Sequence, residues 1–219
     1  MTEAQRRALE TLWPRWGIEF EERRLDLVEV FGRDAPRVLD IGFGDGEALL
    51  TAAANHPGID YLGVEVHEPG VGHLLLLLER ARLENVRVIM RDVVEVIDAM
   101  LPDEAIDAIA IFFPDPWPKK RHHKRRLVQP EFLARCARIL KHGGLMHIAT
   151  DWADYAEHTR AAFAASPFFE PVSIEALAGD PLAFRPPTKF ERRGRRLGHD
   201  IADLCYRKTR SSASPSARR

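Results

Sequence analysis

The residues best equipped for chemistry in this 219-residue chain stand at positions 111–126, IFFPDPWPKKRHHKRR. An apolar run stops at Asp115, a carboxylate flanked by Pro114 and Pro116, with Trp117 directly behind. Each proline fixes its own φ and removes a main-chain donor, which stiffens the loop around the acid. Residues 119–126 are then all Lys, Arg or His; six of the eight are Lys or Arg, and no acid interrupts them. A rigid acid beside a block of positive charge suits a reaction on a polyanion, the cations holding phosphate and the acid facing the reacting group. A Pro-Asp-Pro sequence can also simply end a strand, since acids and prolines are common in loops.

A second constellation follows the run RVLDI. Asp40 precedes three closely spaced glycines, Gly42, Gly44 and Gly46. Glycines at the end of a buried strand let the chain turn tightly and let a ligand approach the main chain. A dinucleotide site wants its third glycine three residues after the second; here it comes two residues after, and an acid precedes the first. That spacing favours S-adenosylmethionine, which brings no pyrophosphate to be held at a helix N-terminus. Glu65, closing GVEVH, suits the ribose hydroxyls of such a ligand, and Asp92, closing MRD, suits the adenine amine. Incidental surface acids beside an ordinary glycine turn remain an alternative.

Asp115 suits a purine in particular. Guanine offers N1–H and its 2-amino group to one carboxylate, while N7 has a lone pair and no proton. Methyl transfer to N7 therefore needs alignment rather than a general base. The positive charge that passes to the ring is one that a fixed carboxylate stabilises. Trp117 reads equally well as a stacking wall or as core.

These residues need elements to position them. TEAQRRALETLWPRWGIEF has helical spacing, with Thr2 as N-cap and Pro14 as a stop, and a second helix is expected over residues 21–31. Short apolar runs then alternate with helical segments: RVLDI, DYLGVEV, VRVIMRD, AIDAIAIFF and GGLMHIATD are expected strands. Such alternation predicts an α/β fold. It has a mostly parallel sheet with helices on both faces and an antiparallel C-terminal edge from HDIADLCYRK. Ligands in such folds sit beyond the C-terminal strand ends, where Asp40, Glu65, Asp92, Asp115 and Asp151 all fall. Residues 1–208 are expected to form one domain with an N-terminal helical extension, and 209–219 a disordered tail.

Composition sets the outer bounds. At 45% hydrophobic and 30% charged, the chain is ordinary for a soluble globular protein. The net charge of −1 conceals a segregation: residues 119–126 carry +6 and residues 185–219 carry +8, leaving −15 elsewhere. A basic face on an acidic body implies a polyanionic partner, although a short run alone could be a solvated surface. Cys136 and Cys205 are far apart, in apolar surroundings and without metal-ligand spacing; they read as reduced core residues of a cytoplasmic protein. The run of five leucines at 74–78 is far too short to span a membrane. None of the nine histidines has metal-ligand spacing, so no metal is expected.

Taken together, FFPDPWPKKRHHKRR, IGFGDG, GVEVHEPGVG, ATDWADYAEH and TKFERRGRRLGHDIADLCY closely resemble the bacterial tRNA (guanine-N7-)-methyltransferases. The likeness covers nearly the whole chain and implies the Rossmann-like S-adenosylmethionine-dependent methyltransferase fold. It implies methyl transfer from S-adenosylmethionine to guanine at position 46, in the variable loop of tRNA. By motif, it implies donor contacts at Asp40, the glycine turn, Glu65, Asp92 and Asp115, with Asp115 also the catalytic carboxylate. Many relatives have glutamate where Asp40 stands. The resemblance also implies substrate contacts at Lys119, Asp151, Thr188, Lys189, Phe190 and Glu191, of which Thr188 and Glu191 lie in no periodic element. It implies RNA contacts at Arg121, His122, His123, Lys124, Arg125 and Arg126. A monomer or weak homodimer is expected. The competing readings are an exocyclic-amine methyltransferase, a silent RNA-binding protein of the same fold and, third, an NAD-dependent oxidoreductase.

Overall fold

A computed structural model describes residues 1–198 and 200–209. Most of the expected tail, residues 210–219, lies outside the described residues, whereas Thr209 donates its N–H to the carbonyl of Phe168 at 3.0 Å.

The chain opens with helix α1, Glu3–Thr11, closed at its start by a capping box in which Thr2 and Gln5 exchange side-chain and main-chain bonds. The helix ends before Pro14. That proline lies in the first turn of a short second helix, α2 (Trp13–Trp16), where its missing N–H costs nothing. The helix expected over 21–31 shrinks to α3, Leu27–Phe31, because Asp26 takes the Val28 and Glu29 N–H groups at 2.9 and 3.1 Å and starts the helix there. The stretch before it spends its main chain elsewhere: Ile18 N–H bonds the carbonyl of Val88 and Leu25 N–H that of Met100, both at 2.8 Å.

The alternation then runs β1 (Arg37–Ile41), α4 (Glu47–Asn55), β2 (Asp60–Val64), α5 (Glu68–Ala81), β3 (Val86–Ile89), α6 (Val93–Met100), β4 (Ile106–Phe112), α7 (Pro130–Ile139), β5 (Leu140–Thr150) and α8 (Ala153–Ala164). After these come β6 (Phe169–Val172), α9 (Lys189–Arg196) and β7 (Ala202–Lys208). They build one seven-stranded sheet in the order β3-β2-β1-β4-β5-β7-β6. Strands β1 to β5 are parallel, and β7 runs antiparallel to both β5 and β6. The outermost strand, β6, carries Pro171, which weakens its strand signal in the sequence and is tolerated because the strand is at the rim.

Period-two alternation divides the core. Leu39, Ile41, Leu62, Val64, Ile109 and Ile111 face α6, α7 and α8. Val38, Ala108 and Ala110 face α1, α4 and α5. Each large aliphatic side chain buried this way stabilises by about 1.5–3 kcal/mol. The leucines of α5 serve this purpose: Leu74, Leu75 and Leu78 are fully buried.

One close approach sets where α5 meets the glycine turn. A Cβ on Gly70 would stand 2.0 Å from the main-chain oxygen of Gly44. Gly70→Ala is therefore expected to destabilise the protein by about 3 kcal/mol, at the upper end for overpacking, because backbone cannot yield as a side chain does. An unchanged urea midpoint in that variant would contradict the packing.

Candidate active site

Because β1 to β5 point the same way, their C-terminal ends form one rim, and the expected acids lie along it. Glu65 is the most firmly held. Its Oε2 accepts from Gly44 N–H at 2.9 Å, and its Oε1 from Val66 and His67 N–H at 2.7 and 3.0 Å. Three of about four acceptor positions are thus used, and the remaining capacity is on Oε2. Chelation of two hydroxyls would require Oε1 to exchange a main-chain partner. Gly42, Gly44 and Gly46 all have positive φ (71°, 64° and 79°), which explains the residue type. No atom comes within 4 Å of the place where a Cβ on Gly42 would stand, so the turn presents an open cradle.

Asp92 caps α6 through Oδ1, which accepts from Val94 N–H at 2.8 Å, and it stays exposed. The cap alone would account for an acid there. Asp40 is different: it is buried on the side of β1 that faces α4, lining a narrow cleft with Gly42, Phe43, Asp45, Thr188 and Lys189. An open glycine cradle edged by oriented carboxylates fits a ligand that offers hydroxyls, amines and positive charge, such as a nucleoside joined to an amino acid.

Asp115 follows β4 and is exposed. The loop around it is strained on both sides. Phe113 and Trp117 have φ of 54° and 44°, a region that costs non-glycine residues about 1–3 kcal/mol each. Phe113 is tied back by its N–H to the carbonyl of Ala149 at 2.7 Å. Trp117 lies against the basic run, with the Arg125 guanidinium 5.0 Å from its ring and His122 packed edge-on at 5.8 Å. Residues Lys120–Arg125 form a 3-10 helix. Lys119, Lys120, Arg121, Lys124 and Arg125 are exposed, and His122 and His123 are half-buried. Arg126, grouped with the RNA contacts by sequence, is only 2% exposed and is directed inward.

The third part is the C-terminal arm. Thr188 caps α9, its Oγ1 accepting from Glu191 N–H at 3.0 Å, so both residues belong to a helix start that sequence left outside any element. Thr-x-x-Glu is a recognisable capping signal. Thr188 and Lys189 face the glycine turn, and Lys189 pairs with Asp45. Glu191 is directed inward instead: it is 5% exposed and paired with Arg185. Arg185 also grips Asp203 with two bonds, of 2.6 and 2.8 Å, and His147 reaches Asp203 at 2.8 Å. Burial pushes the Asp203 carboxyl up, but the bonds from His147 and Arg185 outweigh it and hold it below the usual carboxylate range. Gly194 packs on Asp151, where a Cβ would come within 2.9 Å of Oδ2. The Phe190 side chain lies outside the described residues. Sequence did not single out Arg185, His147, Asp203 or Asp45, because their partners are remote in the chain.

Burial, and then the charge of Glu65, push the Asp40 carboxyl from 3.8 up to about 7. A carboxyl with a raised folded pKa keeps its proton longer in the folded state than in the unfolded one. Its contribution to stability therefore declines as pH rises from about 4 to about 7 and stays low above that. Asp40→Asn is expected to remove this decline and to be the more stable form at pH 8, by ~4 kcal/mol at most. Superimposable pH–stability curves for the two proteins would contradict the burial of that charge.

Known proteins similar to this chain include methyltransferases. The family model described as "Putative methyltransferase" matches residues 34–204. The tRNA (guanine-N(7)-)-methyltransferase of Alkalilimnicola ehrlichii is 53% identical over 214 residues, covering 95% of this chain and 88% of its own. The protein of the same name from Halorhodospira halophila is 55% identical over 208 residues, covering 94% and 90%. Among solved structures, the 16S rRNA methyltransferase KamB superposes with a TM-score of 0.60 at 16% identity, over 86% of this chain and 95% of its own, a likeness of fold. Identity above one half, sustained along nearly the full length of both chains, places this protein in the tRNA (guanine-N(7)-)-methyltransferase family.

Proposed function

We propose that the protein transfers a methyl group from S-adenosylmethionine to N7 of guanine at position 46 in the variable loop of tRNA. What carries the reading is the rim itself: an open glycine cradle with oriented carboxylates at one end, and at the other an acid on a stiff loop leading directly into exposed cations. The names of the half-identical relatives support the same substrate and nucleus.

When bound, S-adenosylmethionine supplies a methyl group activated by a sulfonium. The residues that would hold it are Gly42, Gly44 and Gly46, which allow close main-chain approach, together with Glu65, Asp92, Asp40 and Asp115. Glu65 reaches the site pre-oriented by three amides, so little ordering is lost when it takes a hydroxyl. Asp92 uses Oδ1 to cap α6 and retains Oδ2 for an amine. Asp40, largely protonated below its raised pKa, adds little negative charge beside Glu65.

Asp115 acts on the base. It accepts from the guanine N1–H and 2-amino groups, which aims N7, and it stabilises the positive charge that the ring acquires. N7 has no proton to lose, so no base is required. Lys119 leads the cations, and Lys120, Arg121, Lys124 and Arg125 would take phosphates, with His122 and His123 beside them. Asp151, Thr188 and Lys189 bound the same space from the side of β5 and α9, and Phe190 belongs to the same segment. Glu191 contributes by holding the arm through Arg185.

Nucleoside analysis of tRNA methylated by the purified protein should yield 7-methylguanosine at position 46; a methylated exocyclic amine would overturn the assignment. Asp115→Ala should lower kcat by about a thousandfold and weaken donor binding far less, because the glycine turn, Glu65 and Asp92 remain to hold the donor. With five exposed cations in the run, tRNA affinity should fall roughly a hundredfold between about 50 and 200 mM salt. A flat response would remove the phosphate role.

A further inference from the structure

The last cation of the basic run is inside the protein. The Arg126 side chain is 1% exposed. Its Nε donates to the carbonyl of Pro116 at 2.9 Å, and its Nη2 donates to Nε2 of His123 at 3.0 Å. The guanidinium also pairs with Asp154, in the first turn of α8, and lies 5.5 Å from the centre of the Tyr155 ring. A guanidinium buried this deeply, with Nε and Nη2 committed to protein acceptors, is not available to a phosphate.

We propose that Arg126 is a positioning residue, which orients Asp115 by holding the carbonyl of Pro116, and that it makes no contact with RNA. This rests on the reading of Asp115 given above. Three observations converge on it. Phe113 and Trp117 both occupy the left-handed region, so the loop between them is strained and persists only if its surroundings hold it. Pro114 and Pro116 have no N–H groups, so neither can close a turn across the loop. The hold comes from outside: Ala149 supplies it before the acid, through the N–H of Phe113, and Arg126 supplies it after, through the carbonyl of Pro116, the residue that follows Asp115. Asp154, itself exposed, and the buried Tyr155 connect the guanidinium to α8, so the loop is referred to that helix. The basic run is thereby divided by function. Its exposed members face the polyanion, and its final member fixes the acid.

The test is steady-state methylation at saturating donor and tRNA, alongside tRNA binding at several salt concentrations. Arg126→Ala is expected to lower kcat about a hundredfold, the loss that a displacement of roughly 1 Å can cause. Its tRNA affinity and the slope of log Kd against log salt should match the wild type. Arg126→Lys should fall between the two. Added guanidinium should restore part of the alanine variant's kcat, where sodium chloride of the same ionic strength does not. Lys124→Ala, by comparison, should reduce the salt slope by about 0.7–0.9. A reduced salt slope in Arg126→Ala, or a wild-type kcat, would overturn the proposal. If Arg126→Ala does not fold, Asp154→Asn removes the anchor alone and should lower kcat more mildly with tRNA affinity intact; a wild-type kcat there would count equally against it. Asp115→Ala in the same assay separates the two levels: a wild-type kcat in that variant overturns the reading of Asp115 itself, whereas the expected loss of about a thousandfold alongside a wild-type kcat in Arg126→Ala overturns only the positioning role.

Discussion

Three main-chain N–H groups converge on one carboxylate, that of Glu65, and the C-terminal end of the parallel strands is organised around that convergence. The bond from Gly44 fastens the turn after β1 to the end of β2, and the bonds from Val66 and His67 fix the entry to α5. A charged acceptor makes stronger hydrogen bonds than a neutral one, so this clasp holds a glycine-rich turn that has little rigidity of its own. The rest follows spatially. Gly70 must lack a side chain because the turn is drawn against α5, and Gly42 is left facing open space. Asp40 is caught beneath the same turn, next to the charge of Glu65, and its burial raises its pKa.

The opposite end of the rim solves a different problem. There Asp115 is exposed on a strained loop beside exposed cations, and on the proposed function the acid has to be fixed while the cations stay open to the polyanion. Two arginines in nominally basic segments accomplish the fixing from inside. Arg126 serves the Asp115 loop, and Arg185 serves the arm by joining Glu191 to Asp203. A planar guanidinium can address two or three acceptors at once in fixed directions, which a lysine ammonium cannot do with the same geometry. The exposed cations need only charge.

The arm also closes the circuit between the two ends. Lys189 pairs with Asp45 in the glycine turn, and Gly194 lets α9 lie on Asp151 at the end of β5. Glycine at 194 suits that close approach, although it lowers helix propensity.

The parallel sheet was legible because apolar runs of strand length alternate with helical segments, and periodicity is a local property of the chain. The placement of Asp40, Glu65, Asp92, Asp115 and Asp151 on one rim follows from that alone, since parallel strands end together. The first helix was legible down to its cap, while residues 21–26 were not, because their main chain bonds to Val88 and Met100, far along the chain. The same limit applies to function. Eight consecutive cationic and histidine residues look alike in sequence, and only folding distinguishes Arg126, whose carboxylate partner lies 28 residues away. Glu191, Asp203 and His147 likewise acquire their roles through Arg185. Residue type and spacing determined which groups reach the rim; long-range packing decided which of them face a ligand and which hold the others in place, because burial and ion pairing depend on neighbours in space.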